Sequence, residues 1–315
     1  VRPEANNTEV LTMPLHICSR AGQPAVLLLA VGVLAACGTS AKKSASAATT
    51  PPGSAPAATG SAAALPAPLR SKGTLVVAAD ATYAPNEFIA TDGHTVNGMD
   101  ADLVRALGGV LGLKVDVVNA NFASIIPGLA AGKYDLGASS FTDTREREKT
   151  VDFVTYFTAG TSFYTRSQGG SAIGALADLC GHTVAVESGT TQQTDAAAQD
   201  KKCRAAGKAA VSVLVFPDQN AANLALRSSR AQVGMADSPV AAYAVKQAGA
   251  EFKLVGSPYG TAPYGLAVPK GSGLAPPLLS ALKTLIADGR YAAILARWGV
   301  GSGAISHPMI NGATG

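Results

Sequence analysis

Alternation between short apolar runs and amphipathic stretches constrains this chain more than any other feature of its sequence. Residues 75–79 read as a buried strand, residues 99–111 carry apolar side chains at helical spacing, and residues 114–118 read as a strand again. A helix over 124–131, started near Pro127, and a strand over 134–138 follow. The series resumes with strands at 183–186, 212–216 and 233–236, separated by helices at 192–199 and 220–227. Such a pattern folds as parallel-rich sheets covered by helices, an α/β architecture. The roughly 245 residues after position 70 are enough for two lobes. In open α/β sheets a ligand sits outside the carboxyl ends of the strands. Those ends carry Asp80, Tyr83, the run 139–147, the run 187–191 and Asp237.

The first seventy residues do not share this pattern. The apolar run 25–36 is shorter than the roughly 20 residues a membrane-spanning helix needs, so residues 1–36 read as a signal peptide, started at Val1 or Met13. The run ends in Leu34-Ala35-Ala36-Cys37-Gly38, which resembles a bacterial lipobox, with cleavage before Cys37 and lipid on its sulfur. A plain secretory signal with an incidental cysteine is the weaker alternative. Residues 37–70 are Ala, Ser, Thr, Pro and Gly with almost nothing to bury, the composition of a disordered tether. The expected protein is therefore extracytoplasmic and anchored to the cell membrane as a lipoprotein. With Cys18 in the removed segment and Cys37 lipidated, Cys180 and Cys203 remain, and an oxidising compartment favours their pairing. No metal and no cofactor is expected, because neither His182 nor any second pair stands at metal-ligand spacing around them. A net charge of +4 without a basic cluster interleaved with aromatics argues against nucleic acid.

The run Ser139-Ser140-Phe141-Thr142-Asp143-Thr144-Arg145-Glu146-Arg147 is the densest group of candidate ligands. Hydroxyls and backbone N–H groups at a strand end, with a planar guanidinium one turn on, suit a carboxylate. A helix N-capped by Thr144, with Arg147 in a surface ion pair, fits the same residues.

The segment 98–107, Gly-Met-Asp-Ala-Asp-Leu-Val-Arg-Ala-Leu, resembles the signature of the family 3 solute-binding proteins, the amino-acid receptors of ABC importers. In order with it come residues 79–85, 125–129 with 132–135, Thr142-x-Thr144-x-x-Arg147, Val151-Asp152-Phe153, 184–191, 236–239, 264–270, and 288–291 leading to Arg297-Trp298-Gly299. Each fragment is weak alone; together, in order over residues 71–300, they are a strong signal. The resemblance implies a two-lobe, type II periplasmic-binding-protein-like (Venus-flytrap) fold with two hinge crossings, near residues 163–166 and 260–269. Lobe 1 would comprise 71–163 and 270–305, lobe 2 would comprise 164–269, and 306–315 would be a tail. The implied function is a monomeric, non-enzymatic receptor that closes on an amino-acid zwitterion and delivers it to an ABC permease.

Carried over position by position, the resemblance puts the carboxylate-gripping guanidinium on Arg147 and leaves Arg145 solvated. Thr142 and Ser140 take the positions that bond the ligand's carboxylate and ammonium, and Ser139 lines the pocket floor. Tyr83 and Phe122 enclose the ligand side chain. Thr191, with backbone N–H groups from Gly189 onward, closes on the carboxylate from lobe 2, and Asp237 binds the α-ammonium. A zwitterion taken out of water needs both charges paired, and Arg147 with Asp237 would do so only when the lobes close. Asn86 departs from the pattern, standing where an aromatic is common, which implies a more polar wall. Asp80 and Glu187 add two acids beyond those the ammonium needs. Unpaired they would repel each other and hold a proton, which favours a cationic ligand side chain; Asp80 as a backbone cap and a solvent-facing Glu187 would leave a neutral polar ligand such as glutamine. Two other classes stand behind this reading: a dehydratase-like enzyme on the same fold, and a sensor that reports ligand occupancy to a membrane partner.

Overall fold

The computed structural model describes residues 64–314. The expected signal peptide, the lipidated Cys37 and the tether up to residue 63 lie outside the described residues. Eleven strands are described: β1 Thr74–Ala79, β2 Thr82–Tyr83, β3 Glu87–Ile89, β4 Val96–Asn97, β5 Lys114–Asn119, β6 Leu136–Gly137, β7 Val151–Arg166, β8 Thr183–Glu187, β9 Ser212–Phe216, β10 Val233–Asp237 and β11 Phe252–Pro269. The α-helices are α1 Ala67–Lys72, α2 Met99–Leu111, α3 Phe122–Ala130, α4 Thr191–Ala205, α5 Gln219–Arg227, α6 Ser238–Ala248, α7 Ala275–Ala287 and α8 Arg290–Trp298.

Two strands, β7 and β11, are far longer than the rest, and they carry the chain between the lobes. The main sheet runs β5-β1-β6-β11-β7-β10-β8-β9, with β2, β3 and β4 forming a small antiparallel sheet of their own. At one end β1 pairs in parallel with β5 and β6; at the other β8 pairs in parallel with β9 and β10. The antiparallel β7–β11 pair joins the two ends, and its register breaks between Val255 and Tyr259 and again between Tyr259 and Ala262. Each parallel end has its own core. Leu75, Val77, Leu103, Leu107, Leu136, Leu266 and Leu278 pack in one, and Phe163, Val184, Val186, Val233 and Met235 in the other. Fully burying one such side chain is worth roughly 1.5–3 kcal/mol. A cluster spanning both lobes, including Tyr83, Phe122, Phe141, Tyr164 and Val240, backs the cleft between them.

The first crossing lies ahead of its expected position. Phe163 lies in the core of the second lobe, while Tyr264, Leu266 and Val268 lie in the core of the first. The chain therefore crosses near Gly160, ahead of residues 163–166, and returns at the β11 irregularities before Tyr264, which overlap the expected 260–269 crossing but put the lobe boundary ahead of residue 269. Pairing of residues 161–165 with β10 is what assigns them to the second lobe, a long-range fact that local periodicity does not carry. The ordered body also begins before residue 71: Leu65 and Leu69 are buried and α1 ends on a left-handed Gly73. Two leucines suffice to dock a short helix inside a stretch whose average composition reads as tether. Helix α3 starts at Phe122 and runs through Pro127 instead of starting near it. The segment expected as a tail is an edge: Thr155 N–H donates to the Met309 carbonyl at 2.9 Å, and Asn311 N–H to the Phe153 carbonyl at 3.0 Å. Cys180 and Cys203 form the expected disulfide, joining the turn before β8 to α4.

Candidate ligand-binding site

Arg147 stands at the centre of the cleft. The turn behind it follows from the hydroxyl at Thr144, which accepts the Arg147 backbone N–H at 3.2 Å and starts a short 3₁₀ turn. The alternative reading, a helix capped by Thr144 with Arg147 in a surface ion pair, is not what forms: the turn is only three residues long and the Arg147 side chain is directed into the cleft. Nη1 donates to the Thr142 carbonyl at 2.7 Å, and Nη2 crosses to the second lobe to donate to the Gly189 carbonyl at 3.0 Å. The guanidinium lies over Phe122 and Phe141, 5.3 and 5.5 Å from their ring centroids, and a cation on an aromatic face is held without using its N–H groups. Among the described residues, three of its five N–H donors are left unengaged. Burial lowers the pKa of Arg147, and the charge of Asp237 opposes that shift. Arg145 is exposed.

Asp237 ends β10 and accepts from two partners. Gln192 Nε2 donates to one oxygen at 2.7 Å and Tyr264 Oη to the other at 2.6 Å. Burial raises the Asp237 pKa, while these bonds and the Arg147 charge favour its ionised form. Tyr264 also bridges Thr142, so one residue ties the turn that carries Arg147 to Asp237. Tyr83 and Phe122 stand 5.6 Å apart between ring centroids, tilted by 43°, a contacting aromatic pair that forms one apolar side of the cleft. The first turn of α4, with Thr190, Thr191 and Gln192, lines the cleft and points its positive dipole end there.

Glu187 is 1% exposed; its carboxyl faces the Tyr83 hydroxyl and the Asp80 carboxyl, but among the described residues neither oxygen has a partner at full hydrogen-bond geometry. Burial, and after it the neighbouring Asp80 charge, push its pKa up to about 9. Asp80 is better served: one oxygen accepts from the Thr82 hydroxyl at 2.7 Å and the other from the Phe122 N–H at 2.9 Å. Burial still raises its pKa. A second acid pair lies beneath Ser140. Asp100 accepts the Ser140 N–H at 2.9 Å and the Tyr156 hydroxyl at 2.7 Å, and Glu87 accepts the Ser139 hydroxyl at 3.0 Å. Burial raises both, Asp100 to about 6 and Glu87 well above the usual range. These bonds hold Ser140 at φ +51°, a conformation that costs a non-glycine residue of order 1 kcal/mol or more.

Of the residues singled out from the sequence, Tyr83, Phe122, Ser140, Thr142, Arg147, Thr191 and Asp237 line one cleft. Asp80, Ser139 and Glu187 are buried behind its wall. Ser139 Oγ accepts the Asp80 N–H at 2.9 Å and so braces that acid. Gly189 reaches the cleft through its carbonyl on Arg147, and its N–H is taken by Gln193 Oε1 at 2.7 Å. Asn86 is buried and donates to Ser140 Oγ at 2.9 Å, so it braces a serine and is not itself a wall. Gln192, Gln219, Met235, Ala236 and Val240 also line the cleft and were not singled out. The signal for the two glutamines was position: each opens a helix directly after a strand end.

Fold and cleft together define a two-lobe receptor of the type II periplasmic-binding-protein class. The chain belongs to the bacterial extracellular solute-binding proteins, family 3, which it matches over residues 75–301. It is 36% identical over 248 residues to the arginine-binding protein ArgT of Corynebacterium glutamicum, covering 78% of this chain and 81% of that protein. In structure it is similar to an ancestral arginine-binding protein bound to arginine, with TM-score 0.66 and 37% identity over 72% of this chain and 98% of the other. An ancestral arginine-binding protein bound to glutamine is similar at TM-score 0.65 and 37% identity, with the same 72% and 98% coverage.

Proposed function

We propose that this protein closes on a cationic amino acid, arginine foremost, and that Glu187 is the acid that recognises its side-chain charge. The chain is an extracytoplasmic amino-acid-binding protein of ABC-importer type, and as a family 3 solute-binding protein it binds its ligand without transforming it. One observation carries the choice of ligand: a buried carboxyl that faces a tyrosine hydroxyl and a second buried acid, with no well-formed hydrogen bond to either oxygen. Such a group is costly to ionise alone and is satisfied by an incoming cation. The similarity to arginine-binding proteins supports the same reading.

In this reading Arg147 grips the ligand carboxylate with Thr142 and the α4 N-terminus, and Asp237 with Ser140 takes the α-ammonium. Tyr83 and Phe122 flank the side chain, which runs toward Glu187 and Asp80. Cys37 carries the lipid that anchors a monomeric receptor beside its permease. A protonated Glu187 can also donate to an amide oxygen, and this is the observation that favours glutamine as a second ligand. Titration calorimetry with arginine, lysine, ornithine, histidine, glutamine and citrulline tests the proposal. Arginine binds most tightly, and Arg147→Ala weakens every ligand by more than about 100-fold, because several bonds to a charged group are lost at once. Unchanged affinity in that variant, or glutamine bound more tightly than arginine, overturns the assignment.

A further inference from the structure

We propose that Gln219 is a specificity-determining residue: its side-chain carbonyl accepts an N–H from the far end of the ligand and selects a guanidinium over an ammonium. The proposal rests on the cationic-ligand reading and names what distinguishes arginine from lysine within it.

Gln219 opens α5, is 3% exposed and lines the cleft. Its backbone N–H donates to Thr82 Oγ1 at 3.2 Å, and the Thr82 hydroxyl donates onward to Asp80, so the residue sits in the same corner as the two acids. Its Nε2 donates to Tyr164 Oη at 2.9 Å and to Asn223 Oδ1 at 3.1 Å. An amide nitrogen has two hydrogens, and both are committed.

The direction of the amide follows from the third side of this triangle. Tyr164 Oη lies 2.6 Å from Asn223 Oδ1. That is a normal O–H···O length and shorter than an N–H···O bond, so Asn223 turns its oxygen, not its nitrogen, toward the tyrosine. With that oxygen fixed, Gln219 must turn its nitrogen toward Asn223, since the reverse would set two acceptors face to face. Among the described residues Oε1 of Gln219 has no hydrogen-bond partner, and it is left as an acceptor for the cleft.

Glu187 and Gln219 then read different things. A carboxylate attracts any cation, whereas a neutral carbonyl rewards an additional N–H donor. An ammonium presents three donors diverging from one point, while a guanidinium spreads five over a planar fork. A guanidinium edge can face the carboxylate while another N–H reaches an acceptor off to one side. Selection by a single hydrogen bond to a charged donor is worth about tenfold to 100-fold in affinity.

Calorimetry on the wild-type protein and on Gln219→Leu, with arginine and lysine as probes, tests this. Gln219→Leu should weaken arginine about tenfold or more and leave lysine within about threefold. Equal loss of both ligands, or no loss of arginine, overturns the proposal. Gln219→Met, linear and of similar volume, gives the same comparison if the leucine variant fails to fold. If the wild-type protein binds neither cation, the cationic-ligand reading itself has failed, and that result precedes any variant.

Discussion

If Glu187 receives the ligand's positive charge, arginine binding must expel a proton. With a pKa of about 9, about 1% of the carboxyl groups are ionised at pH 7, and ionising the rest costs about 2.7 kcal/mol, two pH units at 1.36 kcal/mol each. Arginine affinity should therefore climb about tenfold per pH unit, or about 100-fold between pH 6 and pH 8, and level off above pH 9. Titration calorimetry at pH 6, 7 and 8, in two buffers of different ionisation enthalpy, reads both the slope and the released proton. The ligand-free protein carries the opposite sign. Below about pH 4.5 the group is protonated in both folded and unfolded chains. Between about 4.5 and 9 the unfolded chain ionises while the folded one keeps its proton, so stability falls as pH rises, by about 3 kcal/mol at pH 7. Asp80, Glu87 and Asp100, all raised by burial, act in the same direction. Glu187→Gln should abolish the affinity slope, weaken arginine at pH 8 far more than glutamine, and raise the ligand-free melting temperature at that pH. An arginine affinity that stays flat from pH 6 to 8 with no proton released would refute the reasoning.

Two further outcomes follow from backbone geometry and cross-linking. Gly189 has φ +79°, and a Cβ there would lie 3.0 Å from the Ala123 Cβ in the opposite lobe; Gly189→Ala should cost about 1–2 kcal/mol in left-handed strain and weaken ligand binding about tenfold by calorimetry, because the added methyl meets its neighbour across the cleft. Replacing Cys180 and Cys203 together by alanine removes a link spanning 23 positions and should lower unfolding stability by roughly 3 kcal/mol in urea, while arginine affinity stays within about twofold, since neither cysteine lines the cleft.

Much of the molecule was legible before its coordinates, because the determinants are local. Helix α2 was readable end to end: Met99, Leu103, Leu107 and Leu111 repeat on one face, and Gly112 stops it in the left-handed region. The parallel strands on both sides of the long pair were readable for the same reason, as short apolar runs bounded by turn residues. The family resemblance, through the register to Val151-Asp152-Phe153, put the inward guanidinium on Arg147 rather than Arg145, and the cleft residues on strand ends followed from where open sheets bind ligands.

What the sequence by itself determined, then, is the set of elements, their α/β class and the chemical types gathered at strand ends. Those depend on side-chain period and on residues within a few positions of one another. Tertiary structure alone decided which groups have partners. Asn86 became a brace for Ser140, Ser139 a brace for Asp80, and residues 309–313 an edge along β7, because their partners are 54, 59 and more than 150 positions away. The same holds for the two residues proposed to read the ligand's far end. Glu187 lacks a well-formed hydrogen bond and Gln219 keeps one acceptor for the cleft only because of what the fold packs around them, and hydrogen-bond satisfaction is a property of the assembled neighbourhood.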